Sequence, residues 1–136
     1  MAQVIVVIDD DEVSRGWAQC IDLGKPVLTS TGEKASDLIH RLGKQMHAIL
    51  VNSPNHEQAF WIVSLASYFS EGSLYTAGII SATLPDHLDK AVYVVNGTPV
   101  ILSKQDDFVL EDAVMDWVAL YESLTARGPI LAVLRE

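Results

Sequence analysis

Short apolar runs alternate along the chain with longer amphipathic stretches, and this alternation predicts strands and helices in turn. The predicted strands are rich in β-branched or small apolar residues and cover residues 3–8, 26–29, 48–51, 77–82 and 100–102. Five strands alternating with five helices predict an α/β fold with a doubly wound, parallel five-stranded sheet, because each crossover is a helix.

The predicted helices are recognised by apolar residues that recur at helical spacing. In the first helix these are Val13, Trp17, Cys20 and Ile21, and in the fourth they are Leu88, Ala91, Val92 and Val95. The second helix covers residues 35–42, the third residues 57–69 and the last residues 110–124. An Asn96-Gly97 turn separates the fourth helix from the last strand.

Composition and charge restrict the function classes. Hydrophobic residues make up 49% of the 136 residues and charged residues 20%, which is typical of one compact globular domain. The formal net charge is -9 and the cations form no basic run, so we expect no direct contact with nucleic acid. A single cysteine, the absence of a signal-peptide pattern and the absence of a long apolar run predict a soluble, cytoplasmic protein with no membrane partner.

Polar residues follow the predicted strands where parallel α/β folds place their functional groups. These residues are Asp9, Asp10 and Asp11 after the first strand, Asn52 after the third, Ser81 after the fourth and Lys104 after the fifth. Carboxylates suit Mg²⁺, a hydroxyl can bond a phosphoryl oxygen, and an ammonium can neutralise one.

In this order and spacing, the chain resembles the response-regulator receiver family from about residue 4 to residue 124. The resemblance implies the flavodoxin-like strand order 2-1-3-4-5, a receiver-like domain over residues 1–126 and a C-terminal tail over residues 127–136. It also implies the roles of the pocket residues: the metal-binding acids correspond to Asp9 and Asp10, the hydroxyl and small residue to Ser81 and Ala82, and the lysine to Lys104. The phosphoryl-acceptor aspartate corresponds to Asn52.

Several departures from the family pattern occur together. An asparagine amide is a far weaker nucleophile than a carboxylate, so phosphorylation at Asn52 is not expected. Gln105 follows the lysine in place of the usual proline, Ile101 stands where an aromatic residue is common, and the loop at residues 53–57 differs. The resemblance is therefore to the atypical, pseudo-receiver branch. It implies a non-enzymatic signalling module that acts by protein–protein interaction or as a homodimer.

Each pocket residue also has a purely structural interpretation. Asp9 and Asp10 either keep a weak Mg²⁺ site or are solvated acids that cap the first helix. We expect Lys104 to pair with one of these acids and Ser81 to be a hydrogen-bonded hydroxyl. His56 is the one histidine near the pocket. Cys20 is expected in the core.

Two alternatives use the same crevice at the strand ends. In the first, the chain is a small-ligand or nucleotide sensor, although three aspartates without a glycine-rich loop would repel a phosphate unless a metal intervened. In the second, phosphorylation moves to Asp10 or Asp11.

The third predicted helix is apolar around most of its circumference. We expect Ile62, Ala66 and Phe69 to cover the sheet, which leaves a surface formed by Trp61, Leu65 and Tyr68 as a candidate interface. The alternative is that residues 130–134 fold over this surface.

Overall fold

The computed structural model describes residues 3–20, 24–89 and 91–104 as one α/β unit. Its strands are β1 (Val4–Ile8), β2 (Val27–Ser30), β3 (Met46–Asn52), β4 (Thr76–Ser81), β5 (Val92–Val95) and β6 (Thr98–Lys104). Its α-helices are α1 (Glu12–Cys20), α2 (Ala35–Leu42) and α3 (His56–Ser70), and short 3₁₀ turns occur at Gly43–Gln45 and Asp86–Leu88.

The sheet has six strands in the order β2-β1-β3-β4-β6-β5. Every neighbouring pair is parallel except β5 and β6, which are antiparallel. Strand β1 lies between two parallel neighbours, and all five of its residues are buried, as its uninterrupted β-branched sequence predicts. An α/β fold with a mostly parallel sheet is therefore confirmed.

One face of the sheet packs against α2 and α3. Alternate residues of the central strands, such as Val6, Ile49 and Ile79, join Ile39 of α2 and Ile62 of α3 in one buried apolar cluster. Alternation of side chains along each strand sends these residues to the same face. The cluster is the core that fixes α3 across the middle of the sheet.

Helix α1 presents a different side to the sheet from the one predicted. Ala18 is its buried residue, whereas Val13 is 79% exposed and Cys20 is exposed. The guanidinium of Arg15 donates from Nη1 to the main-chain oxygen of Asp9 at 2.8 Å, and this bond ties the side of the helix that carries Arg15 and Ala18 to the end of β1. The predicted burial of Val13 and Cys20 is therefore wrong, whereas Trp17 is half-buried and Ile21 lies outside the described residues.

The segment predicted as the fourth helix is a 3₁₀ turn followed by β5. Strand β5 forms a hairpin with β6 through Asn96 and Gly97, whose φ angles of 49° and 84° suit a two-residue turn that matches the strand twist. Residues Val92–Val95 are β-branched or aromatic and prefer a strand, and the tight turn supplies its partner.

The prediction of five strands in the order 2-1-3-4-5 with five helices is therefore wrong in detail. The described residues form six strands and three α-helices. The predicted helix at residues 110–124, Gln105 and the tail at residues 127–136 lie outside the described residues, and the domain boundary at residue 126 stays a prediction. No helix within the described ranges has the length and apolarity needed to cross a membrane.

Candidate functional site

The parallel register brings the polar strand-end residues to one edge of the sheet. Ile8 lies opposite Val51, so that Asp9 follows β1 beside the end of β3, and Ser81 lies opposite Lys104. Asn52 closes β3 opposite Ile80 of β4. The predicted grouping of these residues at the carboxyl edge follows from this register.

Asp9 is the buried acid of the group, with 2% of its surface exposed. Its Oδ2 accepts a hydrogen bond from Asn52 Nδ2 at 2.9 Å, and its Oδ1 accepts one from the main-chain N–H of Asp11 at 2.8 Å. Burial raises the pKa of Asp9 above its ordinary value and outweighs these two bonds, which lower it, while the charges of Asp10 and Asp11 add to the increase.

The side-chain NH₂ group of Asn52 therefore donates a hydrogen bond to Asp9. A carboxylate can only accept hydrogen bonds, so the bond to Asp9 requires the NH₂ group of Asn52, not its oxygen, to face that acid. An aspartate at position 52 would instead place a second negative charge at hydrogen-bonding distance from Asp9. The asparagine satisfies Asp9 without a metal or a proton.

The other two acids after β1 have their own partners. Asp10 is exposed and its Oδ1 accepts from the main-chain N–H of Gly32 at 2.8 Å. Asp11 caps α1, because its Oδ2 accepts from both the N–H and the hydroxyl of Ser14 at 2.9 and 2.8 Å. These bonds from Ser14 lower the pKa of Asp11. Among the described residues no cluster of three or more His, Cys, Asp or Glu side chains could hold a metal ion.

Ser81 belongs to a chain of hydroxyl and imidazole contacts. Its buried Oγ accepts from the N–H of Thr83 at 3.3 Å, and Thr83 Oγ1 in turn lies 2.8 Å from Nδ1 of His56. The main-chain N–H of His56 also donates to Thr83 Oγ1, at 3.1 Å, while Ala82 is exposed. The sequence analysis did not single out Thr83. A hydroxyl residue two positions after a strand often forms hydrogen bonds that stabilise the following turn, so its position was a usable signal.

Lys104 forms its ion pair away from the acids of β1. Its ammonium pairs with Asp86 of the 3₁₀ turn, and its main-chain N–H donates to Asp89 Oδ1 at 2.9 Å. Hydrogen bonding to Lys104 lowers the pKa of Asp86. The expected pairing with Asp9 or Asp10 is thus replaced by a link between β6 and the segment that precedes β5.

Helix α3 exposes the aromatic residues that the sequence singled out. Trp61 is 56% exposed and Tyr68 is 71% exposed, while Leu65 is half-buried against the core. Ile62 and Ala66 cover the sheet as predicted, but Phe69 is only half-buried and its ring lies 4.0 Å from that of His40. Trp61, Leu65 and Tyr68, called the α3 surface below, are the most apolar exposed part of this helix.

Comparisons with models of protein families, with curated proteins and with solved structures find no match to this chain.

Proposed function

We propose that this chain is an atypical receiver-like signalling domain, not phosphorylated at the usual position and not an enzyme, that acts through contact with another protein or with a second copy of itself. The proposal is supported by the order of the strand-end residues and by their convergence at one edge of a parallel sheet. The bond between Asn52 and Asp9 carries it.

Asn52 opposes phosphorylation of this pocket in two ways. The amide nitrogen of Asn52 has its lone pair delocalised into the carbonyl, so it cannot attack a phosphoryl donor as a carboxylate would. Its N–H also occupies Asp9 Oδ2, one of the oxygens that a magnesium ion would need at this position. A pocket held together in this way needs neither ion nor modification to be stable.

The β5–β6 hairpin occupies the place of the predicted fourth helix. In the receiver family a common partner face includes the fourth helix, and here the corresponding segment is an antiparallel edge strand. The α3 surface offers the exposed aromatic residues that typically anchor protein interfaces. We therefore assign partner binding to α3.

Incubation with acetyl phosphate and Mg²⁺ followed by intact mass measurement tests the proposal. The wild-type protein should show no phosphoryl adduct. The Asn52→Asp variant serves as the comparison, because it restores a carboxylate at the same strand end. One added phosphoryl group on the wild-type protein would refute the proposal, whether or not the variant is modified.

A further inference from the structure

Cationic side chains gather in a cleft beside the edge strand β2, between α1 and α2. The cleft is open to solvent and has a volume of about 440 Å³, within the range of small-molecule sites. Its polar lining consists of three cations and three hydroxyl residues, together with the acid Asp37; the six are Arg15, Lys34, Arg41, Thr29, Ser30 and Thr31. This group is called the basic cleft below.

None of the three cations forms a salt bridge with a described residue. Lys44, for comparison, pairs with Glu71 at 3.2 Å, and Lys104 pairs with Asp86. Arg15 donates one N–H to the main-chain oxygen of Asp9, which fixes the guanidinium, and its other N–H groups donate to no side chain or carbonyl of the described residues. Lys34 and Arg41 are exposed and solvated, so an anion that enters the cleft would exchange this water for direct charge-assisted bonds.

Two hydroxyl groups of the cleft can also donate. Thr29 Oγ1 accepts from Gln19 Nε2 at 2.9 Å, and Thr31 Oγ1 accepts from the main-chain N–H of Lys34 at 3.3 Å. Each of these oxygens therefore uses an acceptor site and keeps its proton. The hydroxyl of Ser30 is already committed, since it donates to the main-chain oxygen of Thr31 at 2.9 Å.

We propose that the basic cleft binds the phosphate group of a small anionic ligand. Guanidinium, ammonium and hydroxyl donors together match the oxygen-rich, multiply charged phosphate better than a carboxylate, which offers fewer acceptors. Asp37 is the acid in the lining, so the three cations exceed it by two charges there. Asp11, which interacts with Arg15 from outside the lining, reduces this excess to one. This site borders the Asn52 pocket, because Arg15 donates to the main-chain oxygen of Asp9, but its lining contains none of the pocket's side chains. The proposal does not depend on the signalling role.

Inorganic pyrophosphate is a suitable probe, titrated into ¹⁵N-labelled wild-type protein and followed by NMR. We expect saturable shifts that concentrate at residues 29–41 and at Arg15, and that weaken as salt is added because the attraction is electrostatic. Lys34→Gln and Arg41→Gln should each lower the affinity by about tenfold, the effect of losing one charge-assisted bond. Asp37→Asn should raise the affinity.

Lys44→Gln is the matched control, because it removes the same charge from a residue near α2 that lies outside the cleft. Its affinity for pyrophosphate should equal that of the wild type. Circular dichroism establishes that each variant is folded. The proposal is overturned if pyrophosphate produces no saturable shifts, if the shifts lie elsewhere, or if Lys44→Gln weakens binding as much as Lys34→Gln does.

Discussion

At the scale of single residues, the charge of residue 52 controls the strand-end pocket. Asp9 is buried, its pKa is already raised by that burial, and the amide of Asn52 is one of its two hydrogen-bond donors. A substitution that removes the amide of residue 52 therefore takes a hydrogen bond from a buried carboxylate. A buried carboxylate without a hydrogen-bond partner destabilises the fold.

Replacement of Asn52 by aspartate should destabilise the fold at neutral pH. The substitution removes a donor and sets two carboxylates against each other, so we expect the free energy of unfolding to fall by about 1–3 kcal/mol. Millimolar Mg²⁺ should restore part of the loss, because the cation neutralises the acidic pair. Urea unfolding with and without Mg²⁺ measures both effects.

Asn55→Asp is the control for this experiment. Asn55 caps α3 by accepting from the N–H of Glu57, and an aspartate there keeps the acceptor and places its charge at a favourable helix end. Its unfolding free energy should change by less than about 0.5 kcal/mol. An equal loss in both variants would contradict the specific role of Asn52.

The sequence identified the pocket residues but not their partners. Asp9 and Asn52 could be placed together because parallel strand ends meet at one edge. The pairing of Lys104 with Asp86 could not be predicted, because Asp86 lies between the fourth predicted strand and the fourth predicted helix, where the sequence pattern assigns no structure. Contacts between side chains depend on the path of the loops, which local patterns specify poorly.

At the scale of elements, the hairpin of β5 and β6 adds an antiparallel strand, β5, to one edge of the sheet. Leu88, Ala91, Val92 and Val95 satisfy helical spacing, and the same four residues tolerate a turn followed by a strand. Two further signals favour the strand: the uninterrupted Val92–Val95 run and the Asn96-Gly97 pair behind it. Periodicity in so short a segment is ambiguous, and the turn chemistry is the more informative feature.

Gly97 should be the sensitive position of this hairpin. An added Cβ would meet no other atom within 4 Å, so the cost of Gly97→Ala comes from the φ of 84° alone. We expect a loss of about 1–2 kcal/mol in the free energy of unfolding. Chemical denaturation measures it.

Gly16→Ala is the control for Gly97→Ala, because the same substitution should stabilise the protein at this position. Gly16 lies inside α1, where the added methyl also meets no atom within 4 Å, and alanine is the better helix former. Its unfolding free energy should rise by up to about 1 kcal/mol. A loss at Gly16 comparable to that at Gly97 would contradict the assignment of a left-handed turn.

At the scale of the whole molecule, the Asn52 pocket and the basic cleft are neighbours, because Arg15 donates to the main-chain oxygen of Asp9. The Asn52 pocket is at the carboxyl edge, the basic cleft is beside β2, and the α3 surface lies on a helix that crosses the middle strands. The apolar character of α3 was evident in the sequence. Which of its residues face outward could be settled only by the packing of Ile62, Val63 and Ala66 on the sheet.

Charged substitutions on the α3 surface should disrupt association without unfolding the protein. Trp61→Glu and Tyr68→Glu alter side chains that are mostly exposed, so unfolding free energy should change by about 0.5 kcal/mol or less. Self-association by analytical ultracentrifugation, or capture of the partner by chemical cross-linking, should be lost. Val13→Glu, which alters an exposed apolar residue of α1, should leave association unchanged; equal effects of all three variants would remove the α3 surface from the proposal.

The titration of Asp9 by NMR tests the bond at the centre of the pocket most directly. In the wild-type protein, the pKa of Asp9 should lie above its ordinary value of 3.8. In Asn52→Ala it should rise further, because the bond from Asn52 is the strongest of the interactions that lower it. A pKa of Asp9 that Asn52→Ala leaves unchanged or lowers would contradict a pocket closed by Asn52. A wild-type pKa at or below the ordinary value would contradict burial as the dominant influence on Asp9.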